Sequence, residues 1–211
     1  MYTAGHSIRV GVLGTAMARE LGLTPEEVRL VRLGGLLHDI GKVQVPAALL
    51  EKPESLTHEE YCRVMAHTTF GARILAPLRT RYPTILGIVR WHHERVDGRG
   101  LPDGLEGDAI PLGARIVAVA DAFDAMTTAR PYRRLAFSPA EALLELERGA
   151  GTQFDTRCVR ALQVGWSAAF AMIGEAGSAS GTGQVGRLAA FVAPRAPVRS
   201  TPVGRLVPQS N

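Results

Sequence analysis

Residues 36–46, LLHDIGKVQVP, set His38, Asp39 and Lys42 directly behind a run that reads as buried helix. A carboxylate taken out of water is costly unless a partner compensates it, so the fold must bring such a partner to this segment from elsewhere in the chain. Other histidines occupy comparable positions. Val10, Leu13, Met17 and Leu21 follow His6 at steps of four, three, four and four, which places His6 on the inward face of a helix. Val64, His67, Phe70 and Ile74 repeat the pattern in a helix opened by Thr57, and Ile85, Val89 and His92 repeat it after Pro83.

Helices dominate the reading. Thr24, Thr57 and Ser138 each stand three residues before a glutamate, at Glu27, Glu60 and Glu141, in the pattern of a capping box. A helix from about Leu112 runs to the break at Pro131, another follows Ser138, and a last one covers about Thr156 to Ile173. Between them, ERVDGRGLPDGLEGDAI (94–110) holds four glycines and a proline in seventeen residues and has no helical period, so it is a loop. No alternating strand pattern is present, and the expected fold class is all-α.

From residue 174 to 211 the chain turns to Gly, Ser, Ala and Pro with few large apolar residues, and a disordered tail is expected after a single domain at 1–173. That tail carries Arg187, Arg195, Arg199 and Arg205 against Glu175, which is three of the four net positive charges of the 211-residue chain. The remainder is nearly neutral, so neither its charge nor its pattern suggests a nucleic-acid polymer as partner. Cys62 and Cys158 are isolated and no signal peptide is evident, which leads to the expectation of reduced thiols in a cytoplasmic protein. No apolar run approaches the roughly 20 residues that span a bilayer, so no membrane partner is expected.

Taken singly, each histidine is adequately explained as a core side chain bonded to a backbone carbonyl. Collectively, His6, His38, Asp39, His67, His92, His93 and Asp121 come from five helical segments that a bundle can bring to one centre. Five imidazoles and two carboxylates exceed what one zinc ion ordinarily takes and suit two divalent ions. Without a thiolate, the donor set fits iron or manganese, with nickel and zinc as alternatives. A carboxylate can bridge two ions and an imidazole cannot, which makes Asp39 or Asp121 the candidate bridge. Two such ions activate a shared water and stabilise phosphoryl charge, which implies phosphoester hydrolysis.

Lys42 lies one helical turn past His38, where its ammonium could reach a substrate oxygen; a solvated lysine at a helix end would have the same spacing. Glu94 and Asp97 follow the histidine pair, where carboxylates could orient imidazoles from behind, and a plain loop charge explains Asp97 equally well. Gly98, Gly100, Gly104 and Gly107 permit turns, His58 is expected to be exposed, and Arg130 and Arg133 in ARPYRR could grip phosphate or guanine edges or simply form a basic loop.

The segments YTAGHSIRV, LLHDIGK, LTHEEYCRVMAHTTFGARIL, HHERVDGRGLPDGL and ARIVAVADAFDAMTTARPYR, in this order over about Tyr2 to Ile173, resemble the HD-GYP family of bacterial cyclic di-GMP phosphodiesterases, a branch of the HD metal-dependent phosphohydrolases. The resemblance implies an HD-domain helical bundle with a binuclear centre. Its metal ligands would be His6, His38, Asp39, His67, His92, His93 and Asp121, with Asp39 bridging, and Lys42 would act near the scissile phosphate. It further implies substrate contacts at Gly100, Leu101 and Pro102 and at Arg130 and Arg133. The reaction would be in-line attack by a metal-bridging hydroxide that opens cyclic di-GMP to linear pGpG and then GMP.

Three departures qualify the match. Gly100-Leu101-Pro102 stands where the family name expects Gly-Tyr-Pro, which affects substrate fit or partner contact and leaves the metal ligands intact. Tyr2 stands where some members place a glutamate supporting a third metal, so a two-metal site is expected. The chain begins five residues before His6, whereas members usually carry a sensor or receiver domain upstream. That suggests a stand-alone or truncated effector, or regulation by a separate sensor or diguanylate cyclase protein. Two alternatives share the same residues: hydrolysis of another cyclic dinucleotide or nucleotide, and a non-catalytic module that binds cyclic di-GMP or a partner.

Overall fold

The computed structural model describes residues 4–128 and 136–166. Its helices are α1 (Ala4–Glu20), α2 (Pro25–Leu37), α3 (Ala47–Leu50), α4 (His58–Met65), α5 (His67–Ile74), α6 (Pro83–Trp91), α7 (Leu112–Thr127) and α8 (Pro139–Arg148), with short 3-10 turns at Ile40–Gln44, Ala76–Leu78 and Gly107–Ala109. A ninth helix, α9, occupies 156–166. Among the described residues there is no extended sheet, only isolated bridges between Asp97 and Glu106 and between Ala150 and Phe154. The all-α expectation holds.

All three capping boxes form. The Thr24, Thr57 and Ser138 side chains accept from the backbone N–H of Glu27, Glu60 and Glu141, whose carboxylates reach back to the cap residue. Each such reciprocal cap satisfies two backbone donors that the first turn leaves over.

Helix α7 is the axis of the bundle. It packs on α1, α2, α6 and α8, and Gly113, Ala114, Ile116, Val117, Val119, Ala120 and Phe123 are all buried, which leaves it little polar face. Val10, Leu13 and Met17 of α1, Val31 of α2, Ile88 of α6 and Leu162 of α9 close around it. Small residues set the crossings. A Cβ on Gly35 would lie 3.0 Å from the Gly11 backbone, so α2 crosses α1 in near backbone contact, and Gly34 and Gly113 both make room for Ile88. The α1–α2 crossing matters for function, because it carries His6 and His38 to the same end of the bundle.

Two expectations need correction. The helix opened by Thr57 does not run unbroken to Ile74; it ends at Met65 and resumes at His67, with a break in direction at Ala66. Ile74, assigned to the inward face, is exposed at the last position of α5. The tail at 174–211, the proposed domain boundary at 173, Tyr2, and both Arg130 and Arg133 lie outside the described residues. No helix among the described residues is long and apolar enough to cross a membrane.

Candidate metal centre

Five imidazoles converge at one end of the bundle. Ring centroids are 5.3 Å apart for His6 and His38, 5.0 Å for His38 and His92, 5.3 Å for His67 and His92, 5.1 Å for His67 and His93, and 4.2 Å for His92 and His93. The side chains of His6, His38, His67 and His92 are buried and His93 is half-buried. Asp39 and Asp121 reach the same space: Asp121 Oδ1 is 3.2 Å from His6 Nε2 and 3.9 Å from His38 Nε2.

Local folding fixes which ring nitrogen faces inward. Nδ1 of His38 donates to the Gly35 carbonyl at 2.7 Å, that of His67 to Val64 at 2.8 Å, and that of His92 to Val89 at 3.0 Å. In each case the acceptor lies three residues earlier, at the end of a helix, where carbonyls lack intrahelical partners. A carbonyl only accepts, so each Nδ1 carries a proton and Nε2 is the atom that each ring presents to the centre. His67 Nε2 and His92 Nε2 face each other at 3.3 Å, lone pair to lone pair. His38 Nε2 and Asp39 Oδ1 are buried without a hydrogen-bond partner. Confronted lone pairs and orphaned buried acceptors of this kind are stabilised by a cation, and that is the sense in which the donor set fits metal.

The donors fall into three overlapping sets whose ligand atoms lie within 4.8 Å of one another: His67, His92 and His93; His6, His38 and Asp121; and His38, Asp39 and His92. Asp39 joins the first two. Its Oδ1 is 3.3 Å from His67 Nε2, and its Oδ2 is 3.4 Å from His38 Nε2 and 3.8 Å from His6 Nε2. Asp121 faces His6 and His38 through Oδ1, so of the two candidate bridges Asp39 has the spanning geometry. The arrangement is that of a binuclear site for divalent metal.

Protonation states agree with this use. Burial lowers the pKa of His67 and His92 and pushes His93 down to about 4, which keeps these three rings neutral. Burial would raise Asp39 and Asp121, but the imidazoles of His38 and His6 beside them, with Lys42 near Asp39, hold both carboxylates well below the usual range. Burial also lowers His6, yet bonds to Asp121 and Asp124 outweigh it and raise this ring to about 9. His38 is raised in the same way by Asp39. A proton and a metal ion compete for these two Nε2 atoms.

Lys42 Nζ, on the 3-10 turn that follows α2, donates to Asp39 Oδ2 at 2.7 Å. The loop after His93 folds back onto it. Leu101 N–H donates to the His93 carbonyl at 3.2 Å, and a Cβ on Gly100 would lie 2.3 Å from the Arg95 nitrogen, so Gly100 serves a close backbone approach rather than a turn alone. Glu94 does not orient an imidazole as expected; its carboxylate accepts from the Asp103 and Leu105 N–H groups and closes the loop. Asp97 likewise turns away, paired with Arg95 and the Arg99 N–H. His58 is exposed, as expected. The sequence reading missed Asp124 and Arg9, which lie three residues beyond Asp121 and His6 and so on the same helix faces; that i, i+3 spacing was the available signal.

The HD domain family profile matches residues 3–158. The chain belongs to the HD-domain family. Its HD-GYP assignment rests on relatives that match the same region. This HD domain is 44% identical over 155 residues to the cyclic di-GMP phosphodiesterase response regulator RpfG of Xanthomonas campestris, covering 73% of this chain and 41% of that protein. It is 41% identical over 162 residues to 3'3'-cGAMP-specific phosphodiesterase 3 of Vibrio cholerae, covering 77% of this chain and 35% of that protein. Among solved structures it resembles an HDG"Y"P protein from Bdellovibrio bacteriovorus, with a TM-score of 0.62, 27% identity, and coverage of 76% of this chain and 51% of the other. The chain thus spans about two fifths of the length of these curated relatives.

Proposed function

We propose that this HD domain is a metal-dependent phosphodiesterase that hydrolyses cyclic di-GMP to linear pGpG and onward to GMP. The observation that carries the reading is the convergence of the imidazole Nε2 atoms of His38, His67 and His92 on a carboxylate, Asp39, whose two oxygens face different donor sets. His6, His38 and Asp121 would hold one ion and His67, His92 and His93 the other, with Asp39 shared; iron or manganese is favoured, with nickel and zinc as alternatives. When bound, such a pair supplies an activated water and positive charge for the phosphoryl group.

The chain's own groups supply the rest. Lys42, held at Asp39, carries an ammonium with three donors, which suits it to neutralise charge on a phosphoryl oxygen or to protonate the leaving oxygen. The backbone clamp of Glu94 on residues 103 and 105 holds Gly100, Leu101 and Pro102 against the histidine pair, where they would line the substrate position. Arg130 and Arg133 are assigned the dinucleotide phosphates or guanines on the family resemblance. Action on a bacterial second messenger places the protein in the cytoplasm, with Cys62 and Cys158 as free thiols, and a diguanylate cyclase or sensor protein is the proposed partner.

A second reading keeps the centre and changes the substrate to 3'3'-cGAMP, favoured by the Vibrio cholerae relative and by Leu101 at the position of the family tyrosine. One experiment separates them: metal analysis of anaerobically purified protein, then turnover of each cyclic dinucleotide with separation of products. Two metals per chain and pGpG from cyclic di-GMP are expected, and Asp39→Ala should abolish both. Faster turnover of 3'3'-cGAMP would select the second reading. An Asp39→Ala protein that still held two metals and still hydrolysed substrate would refute the site.

A further inference from the structure

Three of the converging rings, those of His38, His67 and His92, are oriented from behind by main-chain carbonyls, but His6 is held differently. Its Nδ1 donates to Asp124 Oδ2 at 2.7 Å, and Asp124 is itself buried at 3% exposure. Arg9, one turn along α1 from His6, closes a two-point fork on the same carboxylate through Nε to Oδ1 at 2.5 Å and a terminal nitrogen to Oδ2 at 3.0 Å. The same guanidinium donates to Thr128 Oγ1 at 3.2 Å, just past the end of α7. The α1 and α7 helices are therefore joined at the centre by an Arg9–Asp124–His6 chain. No metal-donor set includes Asp124.

We infer that Asp124, anchored by Arg9, is a positioning residue for one of the two ions only, and that the two metal positions are consequently unequal. This inference rests on the metal-centre reading above. The carboxylate fixes the His6 tautomer, makes Nε2 the more basic ligand atom and aims it at the position shared with His38 and Asp121, in the manner of a carboxylate–histidine–metal relay. His67, His92 and His93 belong to α5 and the end of α6, and the Nδ1 atoms of His67 and His92 are tied to main-chain carbonyls at Val64 of α4 and Val89 of α6. Losing Asp124 leaves that second set in place. The fork to Asp124 also ties this ligand of α1 to α7.

The test is a titration of chelator-treated protein with Co2+, followed by absorption spectroscopy, for the wild type and for Asp124→Asn, Asp124→Ala and Arg9→Met. Wild type should take up two ions. Asp124→Asn keeps the shape but not the charge, and it should retain one site at wild-type affinity while the other weakens about 10- to 100-fold, with Asp124→Ala weaker still. Arg9→Met, which leaves Asp124 itself in place, should weaken the same single site. Two sites of unchanged affinity in Asp124→Asn would overturn the inference and leave the metal centre standing, as would parallel loss of both sites. A wild type that binds no Co2+ would overturn the metal-centre reading and this inference with it.

Discussion

Gly41→Ala is the substitution whose effect the geometry specifies most closely. Gly41 sits in the 3-10 turn between Asp39 and Lys42, packed against α5, and a Cβ there would lie 1.9 Å from the His67 carbonyl oxygen and 2.4 Å from the Gly71 nitrogen. Both obstacles are backbone, so no side chain can rotate away. Reaching ordinary contact at 3.4 Å means parting the turn from α5 by about 1.5 Å along the His67 contact. Overpacking typically costs about 1–3 kcal/mol, and a clash with two main-chain segments belongs at or above the top of that range. At about 2–4 °C per kcal/mol for a domain of this size, a cost of about 3 kcal/mol lowers Tm by roughly 6–12 °C. The same parting separates Asp39 from His67, whose facing atoms are now 3.3 Å apart, whereas metal–ligand distances tolerate only about 0.2 Å. The assay is a thermal melt with and without chelator, together with metal analysis. Gly107→Ala is the control: its φ is +52° with nothing within 4 Å of a Cβ, so it should cost only about 1–2 kcal/mol of backbone strain and no metal. A Gly41→Ala protein that melts within about 2 °C of wild type and still carries two ions would refute the reasoning.

Two further outcomes follow from other parts of the molecule. Asp155, buried against Arg115 at 2.7 Å, would be raised by burial, but its bonds to Arg157 and the charge of Arg115 hold its pKa below the ordinary carboxylate value. A depressed carboxylate contributes stability that is present above the unfolded-state pKa of about 3.9 and is lost as pH falls through the lower folded value. Asp155→Asn should therefore destabilise the protein at pH 7 and narrow its difference from wild type below about pH 4, read from denaturant melts across pH; an unchanged difference would refute the linkage. Leu101→Tyr should leave metal content unaltered, since the bond from residue 101 to the His93 carbonyl is made by the backbone N–H and survives the substitution, and should change KM or the preference between cyclic di-GMP and 3'3'-cGAMP; loss of metal would show that the loop supports the centre.

The parts of this centre that were legible in the sequence are those that periodicity can carry. His6 and His92 share the spacing of the apolar residues on their own helices, and that alone puts them inside. The helix starts were equally legible, because a capping box is a contact between residues three apart. What could not be read is what depends on how one helix meets another. Asp39 as the bridge required knowing that its two oxygens face α5 on one side and α1 and the end of α2 on the other. The break at Ala66 was invisible because Val64, His67 and Phe70 keep a helical spacing across it.

Glu94 shows the same limit from the other direction. Its place beside the histidine pair suggested a partner for an imidazole, but the rings of His38, His67 and His92 already satisfy Nδ1 through carbonyls three residues back, as any histidine at a helix end can. The carboxylate was therefore available to bond the loop amides of Asp103 and Leu105. His6 is the exception that explains Asp124. Its Nδ1 turns to a side-chain acceptor on another helix instead of to a main-chain carbonyl. The acidic residue one turn past Asp121 on α7 is that acceptor, brought to His6 by the packing of α7 on α1.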